Sequence, residues 1–232
     1  MKKHTEKTCA QQFLDVFKSL CHTRGSWQAW SDFIVMTACG ISNTVDKAMF
    51  DEREQMYMRV IQGYTKDELD KIAQLFALTV MALEENPDQD FLGDIFNELR
   101  LYNEHKGQYF TPYNVAKAMA LMLYGNLSEE INEKGSISVN DCCCGAGALL
   151  IAAANVALQE GVNYQHKMVF VAQDIDFTAA MMCYIALSLL GCVGYVIVGN
   201  SLTPDLPSRE NIWYMPMNIL HRKLLEEFYH SN

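Results

Sequence analysis

Asp141-Cys142-Cys143-Cys144-Gly145-Ala146-Gly147-Ala148 is the stretch on which the reading of this chain turns. It follows a strand-like run, Ser136 to Asn140, and precedes an apolar run of helical character, Ala148 to Leu158. Glycines at 145 and 147 remove side chains where the backbone must turn sharply, and they let a ligand approach the amides at a helix start. Downstream the pattern continues as strand (Met168 to Gln173), helix (Phe177 to Leu190) and strand (Tyr195 to Val198). That β-α-β-α-β order predicts an α/β fold with a parallel sheet and right-handed crossovers. Ligands of such sheets lie beyond the carboxyl ends of the strands. Three ends can be read: the glycine turn, Gln173-Asp174-Ile175-Asp176, and Gly199-Asn200-Ser201-Leu202.

Upstream the chain reads as helix. Phe13, Leu14, Phe17 and Leu20 recur at three- and four-residue spacing, and Ser26 is expected to cap a second helix carrying Trp27, Trp30, Phe33 and Ile34. Thr65 and Glu68 form a capping box ahead of Leu69, Ile72, Leu75 and Phe76. Pro87 breaks the run before a short helix holding Phe91, Ile95, Phe96 and Leu99. Aromatic residues at this spacing read as core rather than as a stacking platform for bases. Thr111-Pro112 predicts a further helix start, with Val115, Met119, Met122 and Leu123 as its apolar face and a polar loop running on to Lys134-Gly135.

Half of the 232 residues are apolar and 20% are charged, enough to bury a core. The formal net charge is −10, and no basic block offsets it. From residue 108 onward the only Lys and Arg are Lys117, Lys134, Lys167, Arg209, Arg222 and Lys223, so a strong intrinsic grip on a DNA duplex is not expected. The opening Met1-Lys2-Lys3-His4-Thr5-Glu6 leads into no apolar segment, and three of the eight cysteines are consecutive. Both features point to reduced thiols in a cytoplasmic protein, with cysteines as small packing residues and no metal site. Ala179 to Val198 is uncharged over 20 residues, but Gly191 and Gly194 divide it into a buried helix and a strand, so no membrane span is expected.

The chemistry of the strand ends narrows the ligand. Asp174 is suited to accept hydrogen bonds from ribose hydroxyls, and the Asn200 amide can donate to and accept from an adenine edge. A dinucleotide site wants a small residue three positions after the second glycine, where this chain has Leu150. Asp141 is unwelcome beside a diphosphate but can meet the ammonium group of a methionine moiety. The sign of charge therefore favours S-adenosylmethionine over a nicotinamide cofactor.

Four motifs, in order, carry a family resemblance. Gly107-Gln108-Tyr109-Phe110-Thr111-Pro112 resembles the Gly-Gln-Phe-Phe-Thr-Pro signature of the N6-adenine DNA methyltransferases typified by the modification subunits of type I restriction systems. The Asp141 turn is similar to that family's Asp-Pro-Cys-Cys-Gly-Ser-Gly, Gln173-Asp174-Ile175-Asp176 to its Gln-Glu-Ile-Asn, and Gly199-Asn200-Ser201-Leu202 to its Gly-Asp-Ser/Thr-Leu. The resemblance implies a truncated Rossmann-like class I S-adenosylmethionine-dependent methyltransferase domain over residues 106–232, preceded by a helical domain over 1–105. It implies that Tyr109, Phe110, Thr111 and Pro112 cover the cofactor, and that Asp141, Gly145 and Gly147 hold its methionine end. Asp174 would take the ribose and Asn200 the adenine, with Cys142, Ala146, Ile175 and Leu202 completing the candidate set. Cys142 stands in place of the family's proline, and Asn200 in place of an acid.

One departure concerns catalysis. The family holds a flipped adenine in an Asn/Asp/Ser-Pro-Pro-Tyr/Phe motif at the end of the fourth strand. No Pro-Pro occurs in this chain. Asn211-Ile212-Trp213-Tyr214-Met215-Pro216-Met217 stands at that place, with one proline and no clear strand before it, and no catalytic residue is identified. Loss of such a preorganised group costs about 2.7–4 kcal/mol of transition-state stabilisation, which counts against activity as a lone monomer. Two readings follow. One is a DNA methyltransferase whose target site is completed by Trp213, Tyr214 or a partner, with a specificity-subunit-like protein or a homodimer as candidate partners. The other is a non-catalytic S-adenosylmethionine-binding protein. Leu220 to Tyr229 reads as an amphipathic helix, expected to close the sheet's edge rather than to meet a partner or a second copy.

Overall fold

The computed structural model of the chain describes residues 7–22, 24–101, 110–124, 126–203 and 206–231. Its first part is helical: α1 (Cys9–Leu20), α2 (Ser26–Val45), α3 (Phe50–Ile61), α4 (Lys66–Glu85) and α5 (Phe91–Glu98). Thr8 and Thr65 open α1 and α4 with complete capping boxes, through Gln11 and Glu68. Gly25, not Ser26, occupies the cap position of α2, so Ser26 is already helical. The sheet half comprises α6 (Tyr113–Tyr124), α7 (Leu127–Lys134), β1 (Ile137–Asp141), α8 (Ala148–Gln159), α9 (Tyr164–Lys167), β2 (Met168–Asp174), α10 (Phe177–Leu189), β3 (Val193–Val198), β4 (Ile212–Tyr214) and α11 (Arg222–Ser231).

The strands lie in the order β1-β2-β3-β4. The first three are parallel, and β4 runs antiparallel along β3 with Trp213 opposite Val196. Side chains alternate between the two faces. Val139, Phe170, Ala172 and Val196 face a cluster shared with Phe13, Trp30 and Phe96 of the helices, so one continuous core joins the first helices to the sheet. Val169 and Val193 face the other way, against Leu224 of α11. α10 is buried along nearly its whole length because it lies between the sheet and α2. Among the described residues no helix is long and apolar enough to cross a membrane.

The structure corrects several expectations. α6 does not pack through Val115, Met119, Met122 and Leu123, all of which are exposed, Met122 to 87%. Ala116 and Ala120 face Ala148, Ala152 and Val156 of α8 instead, because the alanine-rich side of α8 brings the backbones too close for larger side chains. The stretch read as a polar loop before Gly135 holds α7, whose buried anchors are only Leu127 and Ile131. No strand lies between β3 and Asn211 among the described residues, but a short fourth strand, Ile212–Tyr214, lies within the Asn211–Met217 stretch itself. Cys142 and Cys143 are exposed, not core residues. α11 covers a face of the sheet rather than its edge, because Leu224 reaches Val169 and Val193.

β4 is fastened to the helices by charge. Arg53 of α3 is 2% exposed and donates from Nη1 to Asp46 Oδ2 at 2.7 Å and to Ser42, and from Nη2 to the Ile212 carbonyl at 2.8 Å. Its guanidinium lies 4.1 Å from the centre of the Trp213 ring. Arg209 donates to both Asp46 oxygens, at 2.6 and 2.7 Å, and to the Ile212 carbonyl at 3.0 Å. Burial opposes the charge on Asp46, but Arg209 and Arg53 outweigh it and hold its carboxyl below the usual carboxylate range. Removing one partner of a buried pair leaves the other charge uncompensated. Arg53→Met is therefore expected to cost about 3–5 kcal/mol in urea unfolding at pH 7. Arg209→Met should cost clearly less, because the Arg209 side chain keeps 41% of its exposure.

Asp90 is a different case. It caps α5, accepting the Gly93 N–H at 2.9 Å, yet is only 3% exposed and has no ion pair among the described residues. Burial pushes its carboxyl up to about 7, the Gly93 amide partly offsets this, and Asp94 adds to it. A carboxyl raised in the fold stabilises it while protonated, and that contribution is lost as pH rises through about 7. Asp90→Asn keeps the cap without a buried charge. It should raise the Tm at pH 8, and the gap to the wild type should close toward pH 4 in thermal melts across that range.

Candidate functional site

β1 ends at Asp141, and the chain reverses through Cys142–Gly147 into α8. Gly145 (φ 53°) and Gly147 (φ 98°) both adopt left-handed backbone that other residues rarely take. They also make room for neighbours. A Cβ on Gly147 would lie 2.9 Å from the Cys183 sulfur of α10, and one on Gly145 would lie 3.0 Å from the Phe110 ring. The Cys144 N–H donates to the Gln173 carbonyl at 2.9 Å, which ties the turn to the end of β2.

Two acids at neighbouring strand ends do different work. Asp174 accepts the Gly145 N–H through Oδ2 and the Asp176 N–H through Oδ1, each at 2.9 Å, so it joins the tip of β2 to the glycine turn and to the start of α10. Each oxygen retains a further lone pair. Asp176 in turn caps α10 by accepting the Ala179 N–H. Asp141 accepts the Cys143 N–H through Oδ1 at 3.1 Å, whereas its Oδ2 is buried with no partner among the described residues. Burial pushes the Asp141 carboxyl up, the Cys143 amide partly offsets this, and the charge of Asp174 adds to it. A buried acceptor left unpaired in an acidic surrounding suits a positively charged donor.

At the third strand end Asn200 is exposed and accepts the Leu202 N–H at 3.0 Å, which leaves its amide NH₂ free to donate. Beside it opens a cavity of about 390 Å³ lined by Gln173, Asn200, Ser201, Thr203 and Asn211 among others. A larger and mostly apolar cavity of about 490 Å³ lies between α2, α3 and α4, and it gathers none of the candidate residues.

The structure thus brings Phe110, Asp141, Gly145, Gly147 and Asp174 together. Thr111 and Pro112 are exposed at the entry to α6, and Cys142 is exposed in the turn. Ala146 turns its methyl group into the core and offers only backbone to a ligand, while Ile175 and Leu202 are exposed to 71% and 91%. Tyr109, with Gly107 and Gln108, lies outside the described residues. Two neighbours of the site were not read from sequence, Cys183 under Gly147 and Phe96 against Phe110. No local pattern marks them, since each sits on a distant helix.

Trp213 does not offer a free ring for a target base. It is 2% exposed and enclosed by Arg53, Phe177 and Tyr184. Tyr214 is half-buried, with its ring beside Arg209 and Tyr195.

The family model of the N-6 DNA methylases matches residues 87–219, from α5 through β4. The chain belongs to the N-6 DNA methylase family. That stretch contains all four strands, the glycine turn and Phe110. Among solved structures the chain is similar to the methyltransferase subunit of a type I restriction-modification system from Streptococcus thermophilus, at 16% identity and a TM-score of 0.43. That similarity covers 87% of this chain and 41% of the other, so the chain spans about two fifths of the length of that subunit. No curated protein matches it.

Gly145→Ala combines a strained backbone with contact on Phe110. It should destabilise the protein by about 1–3 kcal/mol in denaturant titrations. Adding Phe110→Ala should recover only the part due to contact, because the left-handed backbone remains strained.

Proposed function

We propose that this chain binds S-adenosylmethionine over the glycine turn and serves as the cofactor-binding part of an N6-adenine DNA methyltransferase. The observation that carries the reading is the buried Oδ2 of Asp141 at the head of that turn, which has no partner among the described residues. A ligand with a positively charged ammonium and sulfonium supplies what this oxygen lacks, whereas a diphosphate would meet two carboxylates. Bound there, S-adenosylmethionine supplies a methyl group on a positively charged sulfur, open to attack by an amine. Asp174 has lone pairs left for ribose hydroxyls, and Asn200 has a free amide for the adenine. Gly145 and Gly147 keep the turn open, with the backbone of Cys142 and Ala146 alongside. Tyr109, Phe110, Thr111 and Pro112 cover the ligand, and Ile175 and Leu202 flank it.

In this reading residues 106–232 are a Rossmann-like methyltransferase domain and 1–105 its helical partner, in a cytoplasmic protein. Transfer to DNA then depends on a target-base site from elsewhere, because Asn211–Met217 lacks Pro-Pro and Trp213 is enclosed. The few cations after residue 108 argue for DNA held through a specificity-subunit-like protein or a second copy of the chain. The enclosure of Trp213 also favours a second reading, an S-adenosylmethionine-binding protein without transfer activity.

Calorimetry tests the first step. The wild type should bind S-adenosylmethionine, and Asp141→Asn should bind it at least about tenfold more weakly, as expected on loss of a charge-assisted contact. The Asp141 carboxyl is raised, so wild-type affinity should fall as pH is lowered toward 5, while the variant's should stay flat. A wild type giving no binding at millimolar cofactor overturns the proposal. Transfer of labelled methyl to DNA, with and without candidate partners, separates the two readings.

A further inference from the structure

The aromatic residues around the glycine turn form a continuous path into the helices. Phe110, whose ring covers Gly145, lies 5.0 Å from Phe96 of α5 between ring centres, with the planes 39° apart. Phe96 is 1% exposed, and its ring lies 6.1 Å from Trp27 and 5.8 Å from Trp30. Trp30 is fully buried among Phe13, Phe17 and Phe33. A ring held on several sides by close-packed neighbours has few alternative positions. Phe110 is half-buried, precedes α6 and has Phe96 as its only described aromatic neighbour.

We propose that Phe96 is a positioning residue, the fixed seat that holds the Phe110 ring over the glycine turn and so sets the turn's affinity for its ligand. This rests on the reading of the turn as an S-adenosylmethionine site. Phe96 touches no candidate ligand-binding residue except Phe110 among its ring contacts, so its influence passes through that ring. The path also couples the turn to two tryptophans. A ligand that packs against Phe110 should alter the environment of Phe96, and through it the emission of Trp27, which is 43% exposed.

The test compares Phe96→Leu, Phe96→Tyr and Phe33→Leu in the full chain. Phe33 packs on Trp30 but has no ring contact with Phe110, so its variant controls for loss of core packing. Without ligand, hydrogen exchange should show the Gly145 amide losing protection in Phe96→Leu beyond any loss in Phe33→Leu. By calorimetry, Phe96→Leu should bind S-adenosylmethionine about five- to tenfold more weakly than the wild type. Phe96→Tyr, which keeps the ring, and Phe33→Leu should both stay within about twofold. Wild-type tryptophan emission should change on adding the cofactor, and Phe96→Leu should reduce that change. Equal affinity in Phe96→Leu and wild type overturns the proposal, as does an equal loss in Phe33→Leu. A wild type that does not bind overturns the reading of the site and the ligand role of Phe96 with it. The exchange comparison then still decides whether Phe96 seats Phe110.

Discussion

Two guanidinium groups share the carboxylate of Asp46, and the attachment of the sheet's last strand depends on that sharing. β4 is three residues long and sits at an edge, so its pairing with β3 alone gives it few backbone bonds. Arg53 and Arg209 add a common grip on the Ile212 carbonyl and rest on the rings of Trp213 and Tyr214. Buried charge is costly unless its hydrogen bonds are met, and here one acid, one carbonyl and one serine meet most of them. The arrangement joins the end of α2 and the first turn of α3, neighbours in sequence, to the segment before β4, which lies 163 positions beyond Asp46. It also accounts for the burial of Trp213 under the Arg53 guanidinium.

The acids at the strand ends differ in how fully they are engaged. Asp174 is engaged by two backbone amides and keeps the glycine turn at a fixed distance from β2. Asp141 has one oxygen engaged and one shut away from water with no donor among the described residues. A fold does not leave a buried acceptor unpaired at no cost. The unpaired oxygen is therefore the most specific local feature of the site, more so than the glycines, which any tight strand-to-helix turn could contain.

The parallel core of the sheet was legible because its strands and helices differ in period and because glycines punctuate them. Long apolar runs gave β2, α10 and β3 to within a few residues. β4 was not legible, since three residues carry no period and pairing with β3 decides their state. The face of α6 misled for a related reason. Hydrophobicity points to Val115, Met119 and Met122, while the fit to α8 selects Ala116 and Ala120. In the site, residue types disclosed Asp141, Asp174 and the glycines. They did not disclose that Asp174 would hold the Gly145 amide, which lies 29 positions earlier, or that Phe96 would lie under Phe110. Such contacts exist only once the helices are packed.

The first turn of α6 is pinned twice, by Tyr113 and by Lys117, to the single carboxylate of Asp88. Phe110 precedes that anchorage by three residues, one of them Pro112, whose ring fixes its own φ. Its tether is about 10 Å at full stretch. The aromatic ring therefore has a short radius of swing about a fixed post, and a molecule bound over the glycine turn meets a cover whose reach is set by the anchorage at Asp88.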